Sequence, residues 1–284
     1  MEKTEGKLLL VDGHNLLFQM FYGMPARIVN KDGRAIQGTL GFVGALLKII
    51  RRVQPSHIAV IFDGEHENQR RELAEDYKGN RPDYGQMPEE ENPFSQLPDV
   101  YRALDFMGIP HWETEEYETD DEIAAYVYAC GKELQIIISS FDSDFFQLIT
   151  EHVSVLRYRG EKTVLCDVEY IREKLGIEPW QYADYKALTG DTADNIAGMR
   201  GVGPKTAAGL MRQFGSLEEL LTRMDKVEKP SLHNALKEGE EQLRRNWRLI
   251  RLDTRASLSR PPAELAWQDR GLTTTEVLKG IGLK

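Results

Sequence analysis

Three short stretches of the chain are apolar at nearly every position rather than at every second one: residues 7–12 (KLLLVD), 57–62 (HIAVIF) and 134–139 (LQIIIS). A strand with one wet face alternates, whereas a continuous apolar run of this length reads as a buried strand of a parallel sheet. Between the first two, Phe42, Leu46, Ile49, Ile50 and Val53 recur at the spacing of one buried helix face. Pro55 stops that helix. Helix and strand patterns return through 97–107, 109–112 and 121–130, so the first ~155 residues predict an α/β layer structure. In open parallel sheets ligands bind at the carboxyl ends of strands. Asp12, Asp63 and Asp142 stand there.

Residues 65–98 interrupt this order. A charged helical pattern, ENQRRELAEDYKGNR, gives way to a segment holding Pro82, Pro88, Pro93 and Pro98 and the acidic run Glu89–Glu91. No apolar face is wide enough to bury, which predicts a mobile insertion over the strand ends; an ordinary solvated loop has the same composition. From about residue 168 the strand signal vanishes and short helices follow one another to about 251. The last thirty residues, with Pro261-Pro262, read as an extended tail ending in a helix.

The chain has 284 residues, enough for one large domain or two smaller ones. No run approaches the ~18 apolar residues of a membrane span, and the opening MEKTEGK lacks the apolar core of a secretory signal. Cys130 and Cys166 are too few and too isolated for a disulfide framework or a zinc site and read as reduced thiols without a special role. The net charge of −10 argues against a nucleic-acid partner. Nine of the acids, however, fall in clusters, and the remainder is nearly neutral. Divalent cations held by those clusters would reverse the local field.

The clusters are Asp12 in LLLVDG, Asp63 in HIAVIFDG, Glu118, Asp120 and Asp121 in YETDDE, Asp142 and Asp144 in IIISSFDSD, and Asp191 and Asp194 in GDTADN. Singly, each has a plain structural explanation. Thr119 and Glu122 can form a capping box, with Asp120 and Asp121 complementing the helix dipole, and Asp191 and Asp194 can decorate a helix start. Together they point to a cation, because gathered carboxylates repel one another. All-oxygen donors suit Mg²⁺ or Mn²⁺ rather than zinc. Two such ions about 4 Å apart clamp the attacking and leaving oxygens of a phosphodiester.

Two further motifs carry cations. In GMRGVGPKTA (198–207), Gly201-Val202-Gly203 makes a tight turn, Pro204 suits the first helical position, and Lys205 falls in the first turn. Such a turn offers N–H groups to a phosphate, although a simple interhelical turn has the same form. In DYKGNR, Tyr77 can stack on a base, and Lys78 and Arg81 lie one turn apart; a solvated charged helix is the alternative.

In this order the motifs resemble the 5′-nuclease family, which comprises the 5′→3′ exonuclease domain of bacterial DNA polymerase I and the phage and cellular flap endonucleases. The resemblance runs over residues 7–253 through VDG, FDG, YKGNR, the E-x-DD cluster, the D-x-D pair, ALTGDTADN and GVGPKTA. It implies an α/β fold with a PIN-like, mostly parallel central sheet and flanking helices. A helical arch insertion would thread a 5′ single strand, and a helix–three-turn–helix would grip duplex DNA. The implied division is a nuclease core over 1–167 with the arch at about 65–98, a helical DNA-binding region over 168–253, and a tail over 254–284. No polymerase segment follows, so a free-standing nuclease is expected.

Carried over by residue, the resemblance makes Asp12, Asp63, Glu118 and Asp120 ligands of a first metal, with Asp142 bordering both ions. Asp144, Asp191 and Asp194 form the second set, with Asp121 close by. Some relatives lack part of that set, and its completeness here implies an active enzyme. Lys78 matches the arch lysine that helps activate the scissile phosphate, Arg81 its companion cation and Tyr77 the stacking aromatic. Arg200, Gly201, Gly203, Lys205 and Thr206 are the implied duplex contacts, and the carbonyls of Met199, Gly201 and Val202 an implied K⁺ site.

Two positions depart from the polymerase-type pattern. Gln19 replaces an arginine, so a phosphate contact would be weaker or would come from Arg27 or Arg34, and Ser143 stands where lysine is common. The expected protein is a monomeric, cytoplasmic, nucleoid-associated bacterial enzyme of replication and repair. It would use two Mg²⁺ or Mn²⁺ ions, with K⁺ at the turn, to cut DNA bearing a 5′ flap, 5′ overhang or branch, and would have no membrane partner. The rival readings are a non-catalytic DNA-junction binder and an RNA-directed nuclease of the PIN class.

Overall fold

Leu8, Leu9, Leu10 and Val11 have no exposed surface at all, because both faces of their strand are covered. The computed structural model describes residues 6–64, 69–74, 76–80, 82 and 84–283. It builds a six-stranded sheet in the order β3-β2-β1-β4-β5-β6. These strands are β1 (Lys7–Asp12), β2 (His57–Phe62), β3 (His111–Glu113), β4 (Gln135–Ser139), β5 (Val153–Arg157) and β6 (Val164–Cys166). The first five are parallel, with Leu9 opposite both Ile58 and Ile137, and β6 closes the edge antiparallel to β5. The mixed sheet and its flanking helices match the α/β expectation.

Alternate strand residues feed two cores. Leu9, Val11, Ile58 and Val60 pack beneath α1 (Gly13–Gly23) and α2 (Gln37–Val53). The α2 helix ends where predicted, on Gln54 in the left-handed region at φ 53°, just before Pro55. The base of the insertion supplies α3 (Gln69–Leu73), and α4 (Leu97–Met107) follows on the α2 side. Leu8, Leu10, Ala59, Ile61, Ile136 and Ile138 face α5 (Thr119–Cys130) and the helical second half.

That half runs through α6 (Val168–Leu175) and α7 (Tyr182–Thr189) to a two-residue hairpin, β7 (Gly190–Asp191) with β8 (Ile196–Ala197), which the sequence did not signal. Then come α8 (Pro204–Phe214), α9 (Leu217–Thr222), α10 (Pro230–Glu238) and α11 (Glu240–Ile250). Pro204 opens α8 as expected.

Three expectations are corrected. The tail is not extended away from the body. Ala266 bridges His57, Leu265 is wholly buried, and α12 (Thr274–Gly280) sets Val277 and Leu278 into the core shared with α2 and α4. The insertion, expected to lack a burying face, buries Tyr77 and Arg70. The capping box at Thr119 and Glu122 does not form either. Thr119 Oγ1 has no partner among the described residues, and Glu122 instead accepts from Trp112 Nε1 (3.1 Å) and the Ser259 N–H (2.8 Å). Among the described residues no helix is long and apolar enough to cross a membrane.

Candidate active site

The aspartates at the strand ends serve local structure first. Asp12 caps α1, its Oδ1 accepting from the Asn15 N–H at 3.0 Å. Its other oxygen accepts from Ser140 Oγ at 2.9 Å, and that hydroxyl oxygen accepts from the Asp142 N–H at 3.0 Å. Asp142 Oδ1 in turn takes the Asp144 N–H at 2.8 Å. Asp63 reaches across the sheet end to accept the Thr119 N–H at 2.8 Å, doing for α5 what the absent capping box would have done. The glycines after Asp12 and Asp63 make room for this. A Cβ at Gly13 would meet the Phe62 ring at 2.4 Å, and one at Gly64 the Thr114 carbonyl oxygen at 1.9 Å.

Two tight clusters result, each with carboxylate oxygens within 4.8 Å of one another: Glu118, Asp120 and Asp121 at the start of α5, and Asp144, Asp191 and Asp194. Asp142 borders the second through its electrostatic coupling to Asp194 and Asp191, and Asp12 couples to both Asp63 and Asp142. Burial, then Asp63, pushes the Asp12 carboxyl up to about 7. Burial also raises Asp120, with Arg70 opposing and Glu118 and Asp121 adding, and it raises Asp144, with Asp142 adding and Lys186 opposing. At Asp63 burial acts upward too, but the His14 and Thr119 hydrogen bonds outweigh it and hold the carboxyl below its usual range. Carboxyls that resist ionisation because they are buried and have anionic neighbours form a site for an added cation. Among the described residues, Asp144 Oδ1 is buried without a hydrogen-bond partner. An oxygen-only donor set with a buried, unpartnered acceptor fits a hard divalent ion.

Three cations stand among these acids: Lys78, which the sequence reading singled out, and Arg70 and Lys186, which it did not. Arg70 forks onto Asp121 at 2.8 and 2.6 Å and also pairs with Glu118. Lys78 pairs with the same Glu118, and Lys186 pairs with Asp191. Asp121, expected near the second set, sits in the first cluster, bound to Arg70 and to the Asp253 N–H (2.8 Å). His14, beside Asp63 at 3.7 Å, was also missed. For Lys186 the signal lay in the spacing: it is one helical turn ahead of GDTADN. Arg70 carried no such mark, since its partners lie about fifty residues away.

Tyr77 corrects an expectation. It is 3% exposed and its hydroxyl lies 3.3 Å from Asp194 Oδ2, so here it is a core residue rather than a free stacking surface. The segment around it is tied down by Lys78 N–H to Asp194 O (3.2 Å), Asn80 to Thr192 O (3.0 Å) and Asn195 to Asp76 O (3.0 Å). Arg81 lies outside the described residues. Gln19 donates to Tyr158 O at 2.5 Å, while Arg27 pairs with Glu90 and Arg34 with Asp99. Neither arginine is an idle substitute for the missing one.

A cavity of about 860 Å³ opens over the first cluster. Asp12, Asp63, Glu118, Asp120 and Asp142 form its acidic floor, with Lys78 beside them, and Phe18, Tyr84 and Phe94 make an aromatic wall of edge-to-face rings. The 198–205 turn is not part of its lining. There Val202 N–H closes onto Met199 O (3.0 Å), both residues are buried, and Arg200, Gly201, Gly203 and Lys205 are exposed, with Thr206 partly so.

Comparison with known proteins gives a consistent picture. Residues 7–176 match the family model described as 5′-3′ exonuclease, N-terminal resolvase-like domain, and 177–271 match 5′-3′ exonuclease, C-terminal SAM fold. The thermostable DNA polymerase I of Thermus thermophilus is 33% identical over 253 residues, 89% of this chain and 29% of that protein. DNA polymerase I of Bacillus subtilis is 34% identical over 268 residues, 92% of this chain and again 29% of its own length. The chain thus spans under a third of these curated relatives. The T5 5′-exonuclease with bound divalent metal ions (zinc) superposes with a TM-score of 0.73 at 26% identity, covering 87% of this chain and 90% of that one. The catalytic core of Rad2 in complex with DNA substrate shares the fold at a TM-score of 0.61 and 17% identity, over 99% of this chain and 93% of its own.

Proposed function

The chain belongs to the 5′-3′ exonuclease family, and from that premise we propose that it is a structure-specific 5′-nuclease, hydrolysing phosphodiesters of DNA with 5′ ends, flaps or branches. The observation that carries this reading is the second cluster. Asp144, Asp191 and Asp194 converge beside Asp142, with one Asp144 oxygen buried and unpartnered among the described residues.

Asp12, Asp63, Glu118 and Asp120 would hold one divalent ion and Asp144, Asp191 and Asp194 another, with Asp142 between them. Mg²⁺ or Mn²⁺ suits these donors better than the zinc of the T5 5′-exonuclease structure. When bound, such a pair supplies an activated water and neutralises the charge developing on the attacking and leaving oxygens. The protein's own groups do the positioning. Lys78, at the cavity edge, is set to contact the scissile phosphate once it leaves Glu118, and Arg81 is assigned the companion contact. Tyr77 would have to leave its buried place to stack on a base. The 198–205 turn, with Arg200, Gly201, Gly203, Lys205 and Thr206, would hold duplex phosphates, and the carbonyls of Met199, Gly201 and Val202 would share a K⁺ with them.

In this scheme residues 1–167, joined by Asp191 and Asp194, do the chemistry, and the rest of 168–253 grips the duplex. The relatives are bacterial, and a cytoplasmic, nucleoid-associated enzyme is our proposal for this chain. The test compares 5′-labelled DNA and RNA flaps in Mg²⁺, Mn²⁺ and EDTA. We expect metal-dependent cleavage of DNA. Binding without cleavage in either metal would establish the junction-binder reading instead, and preferential cleavage of RNA would establish the RNA-directed one.

A further inference from the structure

α11 joins the two ends of the molecule's chemistry. Near its start, Gln242 donates to Ala197 O at 2.9 Å and Gly198 O at 3.4 Å, and a Cβ on Gly239 would strike the Met199 side chain at 2.0 Å. The helix therefore begins against the strand that leads into the 198–205 turn. At its other end Arg70 reaches Arg251 O at 3.5 Å, and the Asp253 N–H meets Asp121 at 2.8 Å, so it finishes at the first carboxylate cluster. Eleven residues at 1.5 Å each separate these ends by roughly 16 Å.

The buried side of α11 is Leu243, Asn246, Leu249 and Ile250, and the opposite side carries Arg244, Arg245, Arg248 and Arg251. Arg244 pairs with Glu240 at 2.8 Å and Arg251 stacks on Trp247 at 4.6 Å. Arg245 and Arg248 are exposed and make no hydrogen bond or ion pair to any described residue. In a chain of net charge −10, this is an uncompensated basic face. The helix dipole accounts for cations in the last turn, such as Arg248, but not for Arg245 in the middle. Arg245 and Arg248 stand three residues apart on the helix, a rise of about 4.5 Å, with Arg251 following at its C-cap; that step is comparable to the ~3.4 Å of axis per charge along one strand of a duplex.

We propose that this arginine face is a track for the phosphodiester backbone, guiding the DNA strand that runs between the 198–205 turn and the carboxylate clusters. The proposal rests on the nuclease reading above, and its test separates the two. Fluorescence anisotropy of the full chain on a 5′-flap duplex, with Ca²⁺ in place of Mg²⁺, gives the dependence of log K on log salt. Arg245→Ala/Arg248→Ala should make that slope shallower by about 1.8, at ~0.9 for each phosphate no longer neutralised. Lys48→Ala, exposed on α2 across the sheet, should leave it unchanged. Uncharged methylphosphonate linkages in the intervening strand should erase the difference between wild type and the double variant, at unchanged melting temperatures. Equal slopes for wild type and double variant overturn the track, as does a difference that survives the methylphosphonates. Failure of the wild type to bind the flap at all overturns the nuclease reading itself.

Discussion

At Arg70 a single guanidinium serves both Asp121 oxygens and Glu118 while only 10% exposed. Removing one partner of a buried, multiply bonded pair leaves the other charge unpaired, which costs about 3–5 kcal/mol. Arg70→Met should therefore lower the unfolding free energy by roughly that amount in urea titrations; a loss under about 1 kcal/mol would show that the acids find other partners. Asp12 gives the opposite kind of evidence. Its folded carboxyl titrates near 7, against 3.8 for the free group, because of burial and Asp63. Between about pH 4 and pH 7 the folded state keeps a proton that the unfolded chain has released, so in EDTA this group lowers stability as pH rises through that window and adds no slope above it. Asp12→Asn should flatten the melting-temperature profile over that range, and an unchanged profile would contradict the assignment. Asp12 was legible in the sequence because it follows an unbroken apolar strand. Arg70 was not, because a charge in a charged helical pattern looks solvated until its partners on α5 are known.

Elements built on local periodicity read well from sequence; those held by distant contacts did not. β1, β2 and β4 are continuous apolar runs because they are buried on both faces, and α2 shows its single apolar stripe over seventeen residues. The β7–β8 hairpin has only two residues per strand, too few for any period, yet it presents Asp191 to the second cluster. The tail carries scattered apolar residues: Val277, Leu278 and Leu283 share a core with α2 and α4, more than 150 positions earlier, and Leu265 joins the opposite core beside β2. Leu278→Ala, 2% exposed in wild type, should cost about 2–5 kcal/mol by denaturant unfolding. A negligible change is the outcome expected of a free tail, and it would refute the packed α12.

Over the whole molecule, a parallel sheet brings the aspartates of distant segments to one edge, and the insertion and α5 add their own acids and cations above it. Burial, with mutual repulsion added, leaves Asp12, Asp120, Asp142 and Asp144 poorly satisfied without an added cation, and the −10 charge of the chain is largely the charge of this site. The central claim is that these carboxylates act on DNA rather than merely shape the fold. It is tested most directly by single-turnover cleavage of a 5′-labelled flap in Mn²⁺ alongside anisotropy binding of the same flap, for wild type and Asp142→Ala. Cleavage by wild type, its loss by at least about 10²-fold in Asp142→Ala, and binding within a few-fold of wild type are the predicted result. Undiminished cleavage by Asp142→Ala would contradict it.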